Sequence, residues 1–164
     1  MKDMKTAIIY ARVSSSGSLE SRQSTERQVI DLTDYANRNS MTISKTFEEH
    51  ISGAKRNEER AVLTECIEYA ISNRVDVILF SELSRCGRAV WEVLDTIRTL
   101  KDNGINAYFQ KEGLSLFSED GRENIYLAIM ISVLSSASQI ERENLIFRLK
   151  SGRKVYVDKN LAAT

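Results

Sequence analysis

Apolar positions along this chain alternate between two periods. Lys5-Thr-Ala-Ile-Ile-Tyr-Ala-Arg-Val13 and Val75-Asp-Val-Ile-Leu-Phe80 are short apolar runs rich in β-branched residues, and both read as buried strands. Met41 to Phe47 alternates roughly as a strand does, and Ile105 to Gln110 predicts a further one. Between these runs the spacing becomes helical. Val29, Leu32, Tyr35 and Ala36 place a helix over about residues 25 to 39, with Thr25-x-x-Gln28 resembling a capping box at its start. Val62, Leu63, Cys66, Ile67, Ala70 and Ile71 make Arg60 to Asn73 amphipathic. Val90, Val93, Leu94, Ile97 and Leu100 do the same for Arg88 to Asn103, which Asn103-Gly104 ends. Ser14 to Ser18, Glu48 to Glu59 and Ser81 to Gly87 read as loops.

Four alternations of strand and helix predict an α/β fold, a mainly parallel central sheet with helices on both faces. In such sheets functional residues gather beyond the carboxyl ends of the strands. Ser14 and the loop from Ser81 to Gly87 lie at such ends.

The last segment differs. From Gly121 to about Lys159 only Gly152 interrupts helix-forming sequence, and between Ile125 and Ile140 apolar residues occur on nearly every face. A surface helix shows one apolar stripe, so this one is expected to bury two, one on its own domain and one elsewhere. Ser132, Ser135, Ser136, Ala137 and Ser138 are small enough to let a second helix approach, which predicts a homodimer interface over residues 121–145. Beyond Glu141 the helix turns basic, and Arg142, Arg148, Lys150, Arg153 and Lys154 form a candidate DNA-binding arm for phosphate contacts. The expected organisation is a core over residues 1–120 and a long dimerisation helix with a basic arm over 121–160.

Composition limits the alternatives. The 164 residues, 42% hydrophobic and 28% charged, suit one globular domain with a single core. No apolar run is long and clean enough for a bilayer, and the start lacks the apolar core of a secretory signal, so the chain reads as cytoplasmic and not a membrane protein. Cys66 and Cys86 have neither disulfide-framework nor metal-site spacing. A formal net charge of zero argues against strong nucleic-acid binding by the chain as a whole, so DNA affinity would come from local basic clusters.

The chemistry is narrowed by what is missing. His50, the one histidine, sits in a polar stretch without the signature of a serine-histidine-aspartate triad. No carboxylates or His/Cys ligands cluster at metal-binding spacing. What remains is arginine beside serine. Arg12 precedes Ser14 by two positions, Arg85 and Arg88 flank Cys86-Gly87, and Arg60 opens a helix. A guanidinium grips phosphate oxygens bidentately and stays charged. Phosphoryl transfer depends mainly on positioning and charge stabilisation, so a serine hydroxyl among arginines suits attack on a phosphodiester.

These residues recur as a joint pattern. Tyr10-Ala11-Arg12-Val13-Ser14, with Gln23-Ser24 and Gln28 downstream, resembles the Y-x-R-V-S opening of serine recombinases, the resolvase and invertase family. Ser52-Gly53 followed by Arg60 resembles that family's S-G…R loop. Leu83-Ser84-Arg85-Cys86-Gly87-Arg88 resembles its L-D-R-x-G-R motif, and Ile140-Glu141-Arg142-Glu143 with Leu145 and Arg148 resembles its long-helix run. The motifs occur in order over essentially the whole chain. The resemblance implies that Ser14 attacks the DNA phosphate, stays joined to the 5′ end and releases a 3′ hydroxyl. It also implies that Arg12, Arg60, Arg85 and Arg88 hold the phosphate, and that Tyr10, Gln23, Gln28, Glu49 and Ser52 orient them. It implies no cofactor, metal or ATP, and a dimer that becomes a tetramer on paired DNA sites.

The chain departs from the family pattern in three places. The aspartate of L-D-R is Ser84 here, and Glu82, two residues earlier, is the carboxylate that could replace it. Glu49 stands where the family usually has aspartate, and the loop after Ser14 is longer than in small resolvases. The alternative that Ser84 favours is a catalytically silent domain that dimerises and regulates.

Overall fold

The computed structural model describes residues 4–13, 19–50, 61–87 and 89–161, with the side chains of residues 19–23 and 154–161 outside that description. The chain divides into two compact units, Met1–Leu127 and Ala128–Thr164. The first runs β1 (Lys5–Val13), α1 (Leu19–Arg38), β2 (Met41–His50), α2 (Ala61–Ser72), β3 (Val77–Phe80), a 3₁₀ turn (Leu83–Cys86), α3 (Val90–Asp102), β4 (Asn106–Phe109) and β5 (Leu114–Ser115). The second lies within α4 (Ile125–Leu161), whose first turn belongs to the first unit. Among the described residues no helix is long and apolar enough to cross a membrane.

The sheet order is β2-β1-β3-β4-β5. The first four strands are parallel, and β5 returns antiparallel to β4. The α/β expectation therefore holds, with one short antiparallel edge strand added. β1 lies between β2 and β3, and Ala7 to Ala11 are fully or almost fully buried. One face of the sheet carries Ala7, Ile9, Val77 and Leu79, packed on Leu32 and Ala36 of α1. Tyr35 of α1 stacks on Tyr108 at 3.8 Å between ring centroids. The other face carries Tyr10, Phe80 and Phe109 in ring contact, with Phe47 edge-on to Tyr69 of α2. Val93, Ile97 and Leu100 are the buried apolar side of α3.

Between Ala7 and Ile8 the β1–β2 register slips, so that Ala7 pairs with Ile43 and Ile8 with Lys45. Ser44 is the extra residue. Side chains alternate along a strand, so one inserted residue moves everything after it to the opposite face. The bulge thus carries Phe47 and Glu49 onto the face of their partners Tyr10 and Arg12.

Several boundaries differ from the sequence reading. Helix α1 starts at Leu19, and Thr25 is a buried mid-helix residue, so the Thr25–Gln28 spacing marks no capping box. Thr25 is buried, and Gln28 bonds to the backbone of β1 at Arg12. Strand β2 runs on through Glu48 and Glu49 to His50, which places His50 at a strand end and not in a loop. Residues 51–60 of that loop lie outside the described residues. Helix α4 begins four residues later than expected. Phe117 bridges to Glu123, Gly121 takes φ +79°, and Asn124 Oδ1 caps the helix by accepting from Tyr126 N at 3.0 Å. Gly152 continues the helix.

One termination device recurs. Asn39, Asn73 and Asn103 each end a helix, and each side-chain amide donates to the carbonyl four residues back, at 2.8, 2.9 and 2.8 Å. The residue after each asparagine has positive φ: Ser40 at 54°, Arg74 at 50° and Gly104 at 66°. Only at Gly104 is the residue suited to that region, since a Cβ there costs roughly 1–2 kcal/mol. Arg74→Gly is therefore expected to raise stability by about 0.5–1 kcal/mol, the relieved strain less the added chain entropy of glycine. A shift in the urea midpoint at constant slope would measure it.

Candidate active site

The carboxyl ends of β1, β2 and β3 bring the described candidate residues together. β1 pairs with β3 only as far as Tyr10–Phe80, while it pairs with β2 out to Val13–His50. Past Tyr10 the β3-side backbone of β1 has lost its strand partner, and an unpaired buried peptide group is costly. Gln28 of α1 fills the gap with its own amide. Its Oε1 accepts from Arg12 N at 3.4 Å, its Nε2 donates to Arg12 O at 3.3 Å, and Ser81 Oγ donates to its Oε1 at 3.1 Å. Gln28 therefore ties together α1, the end of β1 and the end of β3. The clamp sits two residues before Ser14.

Tyr10 and Glu49 form a buried pair in which the phenol donates to Glu49 Oε2. Burial and then the carboxylate itself push the Tyr10 pKa far up, so this hydroxyl remains a donor at any working pH. Its partner is in place only because of the β2 bulge.

The segment after β3 carries the arginines. Arg12 Nη2 donates to Ser84 O at 2.9 Å, so Ser84 contributes its carbonyl to holding Arg12. Glu82 Oε1 lies 3.1 Å from Arg85 Nη2, and Glu82 Oε2 accepts from Lys111 Nζ at 2.9 Å. Glu82, two residues before Ser84, thus binds Arg85 and Lys111 together. Lys111 chiefly, with Ser84 and Arg85, holds the Glu82 carboxyl below its ordinary range, against partial burial. Arg12 and Arg85 each keep a buried Nε–H that is without a hydrogen-bond partner among the described residues. A buried cationic donor without a partner is costly, and the charge of both guanidinium groups is held close to the strand ends.

Sequence reasoning missed Ser81, Lys111 and Glu112. Lys111 N donates to Ser81 O at 2.9 Å and Glu112 Oε2 accepts from Leu83 N at 3.1 Å, stitching the turn after β4 to the loop after β3. Their place just past the ends of β3 and β4 was the available signal. Gly87 is fixed by a close approach. A Cβ there would stand 2.6 Å from Glu92 Cβ and 2.7 Å from Val93 N, so α3 packs directly on its backbone. Cys66 and Cys86 are buried free thiols whose pKa values burial raises, and both act as packing residues. His50 is exposed, with Nε2 3.9 Å from Glu48.

Ser14, Ser52, Arg60 and Arg88 lie outside the described residues, as does the side chain of Gln23. Arg142, Arg148, Lys150 and Arg153 are exposed on α4, and Lys154 is in the helix with its side chain outside the description.

The sequence family described as "Resolvase, N terminal domain" matches residues 7–161. The chain belongs to this family. It is a serine recombinase catalytic domain, and the α/β architecture agrees with solved members. Similar relatives include a resolvase from Clostridium perfringens, 30% identical over 145 residues, covering 88% of this chain and 68% of that protein. The transposon Tn2501 resolvase of Escherichia coli is 28% identical over 150 residues, covering 91% and 70%. A resolvase family site-specific recombinase from Streptococcus pneumoniae has a TM-score of 0.68 at 28% identity, covering 90% and 95%. The N-terminal catalytic domain of TP901-1 integrase has a TM-score of 0.61 at 28% identity, covering 85% and 98%. The recombinase class of this domain follows from the family.

Two outcomes are expected. The Glu82 carboxyl is more acidic folded than unfolded, so it favours the folded state fully above the ordinary value of 4.5 and loses that effect as pH falls through its lowered value. Glu82→Gln should flatten that acid limb of the stability curve while lowering the neutral plateau, as read by urea unfolding at stepped pH. Gly87→Ala forces the backbone apart at α3 and should destabilise the fold by about 1–3 kcal/mol, visible as a lower melting temperature.

Proposed function

We propose that this domain cuts and rejoins DNA at specific sites through a 5′-phosphoserine at Ser14. The Ser14 oxygen bonds to phosphorus as the bond to the 3′ oxygen breaks, and the leaving 3′ oxygen takes up a proton. The phosphoester survives on the enzyme, so the reverse attack by a 3′ hydroxyl, after strands are exchanged, needs no ATP. Arg12, Arg60, Arg85 and Arg88 neutralise the phosphate and the charge on its oxygens in the transition state. The observation that carries this reading is the pair of arginines gathered at the strand ends, Arg12 held by Ser84 O and Arg85 held by Glu82. Tyr10, Gln28, Glu49 and Ser84 support them in the ways described above, and Gln23 and Ser52 complete the supporting set.

The core of residues 1–120 works with a dimerisation helix over residues 121–160. On α4, Ile129, Val133 and Ile140 are all exposed, and only Leu127 is buried among the described residues of that helix. They line one stripe with Ala128, Ser132, Ser136 and Ala137. Ser132 and Ser136 donate to carbonyls four residues back, so their hydroxyls enter an apolar contact already satisfied. A second copy of the helix suits this stripe, giving a dimer, and two dimers on paired sites give the tetramer in which strands are exchanged. The basic positions Arg142, Arg148, Lys150, Arg153 and Lys154 then follow the DNA backbone.

Covalent trapping tests this function. The chain is fused to a zinc-finger DNA reader and given paired target sites on end-labelled DNA. A denaturant-resistant adduct on the 5′ end, lost in Ser14→Ala, is expected. An adduct that persists in Ser14→Ala, or one joined to the 3′ end, would overturn the proposal.

A further inference from the structure

Glu82 is the most heavily engaged charged group of the described site. It lies directly after β3 with 18% of its side chain exposed, and both its oxygens are bound to cations from different elements. Oε1 takes Arg85, itself only 24% exposed, and Oε2 takes Lys111, which is 72% exposed. The backbone of Lys111 is held independently, through its N–H on Ser81 O and through Glu112 on Leu83 N. The lysine therefore cannot drift from the mouth when its ammonium lets go of Glu82. Three cations, Lys111, Arg85 and Arg12, therefore gather beside the two carboxylates Glu82 and Glu112, and Arg12 is bound to Ser84 O.

We propose that Lys111 is a DNA-phosphate contact of this domain and that Glu82 is the positioning residue that seats both Lys111 and Arg85. The inference deepens the reading of the site as a phosphate-binding centre and rests on it. Arg85 is partly buried, and its remaining N–H groups point where Glu82 leaves them, so it serves the reacting phosphate. Lys111 is mostly solvated on a flexible stem, so it reaches a neighbouring backbone phosphate as a point charge. The two roles need the carboxylate differently. DNA binding gains when a negative charge leaves the mouth, whereas cleavage needs Arg85 held in one orientation, and a misplacement near 1 Å costs about 100-fold.

That difference supplies the test. Glu82→Gln, Lys111→Met and Glu82→Gln/Ser84→Asp are made in the zinc-finger fusion, beside the parent and Ser14→Ala. DNA affinity across a salt series and the rate of adduct formation are both read. Glu82→Gln is expected to bind DNA at least as tightly as the parent while forming adduct about 100-fold more slowly. Restoring a carboxylate at position 84 should recover most of that rate. Lys111→Met should weaken binding uniformly across DNA sequences and lower the salt slope by about 1. Unchanged adduct formation in Glu82→Gln would overturn the positioning role, and an unchanged salt slope in Lys111→Met would overturn the phosphate contact. If the parent itself forms no Ser14-dependent adduct, the cleavage reading fails separately. The salt slopes still decide Lys111, and the Arg85 Nε–H resonance, expected to move in Glu82→Gln, decides Glu82.

Discussion

β1 is paired on both edges and covered on both faces, and everything else in the catalytic unit depends on that. Buried strands of this kind admit no polar backbone without a partner. Where the β3 ladder stops, some other group must take over the Arg12 peptide, and the Gln28 side chain does so. The same strand that anchors the core therefore delivers Arg12, and the chain leading to Ser14, with its backbone already fixed. Rigidity at the mouth is a by-product of satisfying the sheet.

The charges at the mouth are arranged on a similar economy. Each described arginine is held by one acceptor, Ser84 O for Arg12 and Glu82 for Arg85, and each retains a donor with none. A fully satisfied arginine would be inert, and a wholly unsatisfied one would be too costly to bury. Partial satisfaction is what an anion-binding centre requires. In a chain of zero net charge, arginines and carboxylates are thus drawn together at the strand ends, where Glu82 holds Arg85 and Lys111.

The long helix presents a different problem. Along its apolar stretch Ile129, Val133, Leu134 and Ile140 are exposed. Its thirty-seven residues extend about 55 Å. Isolated helices owe little stability to propensity alone and most of it to packing.

Much of this was legible in the residues. The two buried strands, the α/β alternation and the arginine-serine motifs depend on local composition and spacing, which a sequence displays directly. Tyr10, Arg12, Gln28, Glu49, Ser84 and Arg85, which the motifs single out, stand together at the strand ends. Their working partners were not legible. The Ser44 bulge that turns Glu49 toward Tyr10, the Gln28 amide standing in for a strand, and the Glu82 carboxylate shared with Lys111 across 29 positions all arise from register between distant segments. So does the earlier start of α1, where burial of Thr25 against the sheet overrides a spacing that reads as a cap. The sequence by itself determined which elements form and which chemical groups stand at the strand ends. Only the tertiary structure decided which group holds which, because parallel strands meet through long crossovers whose register no local pattern encodes.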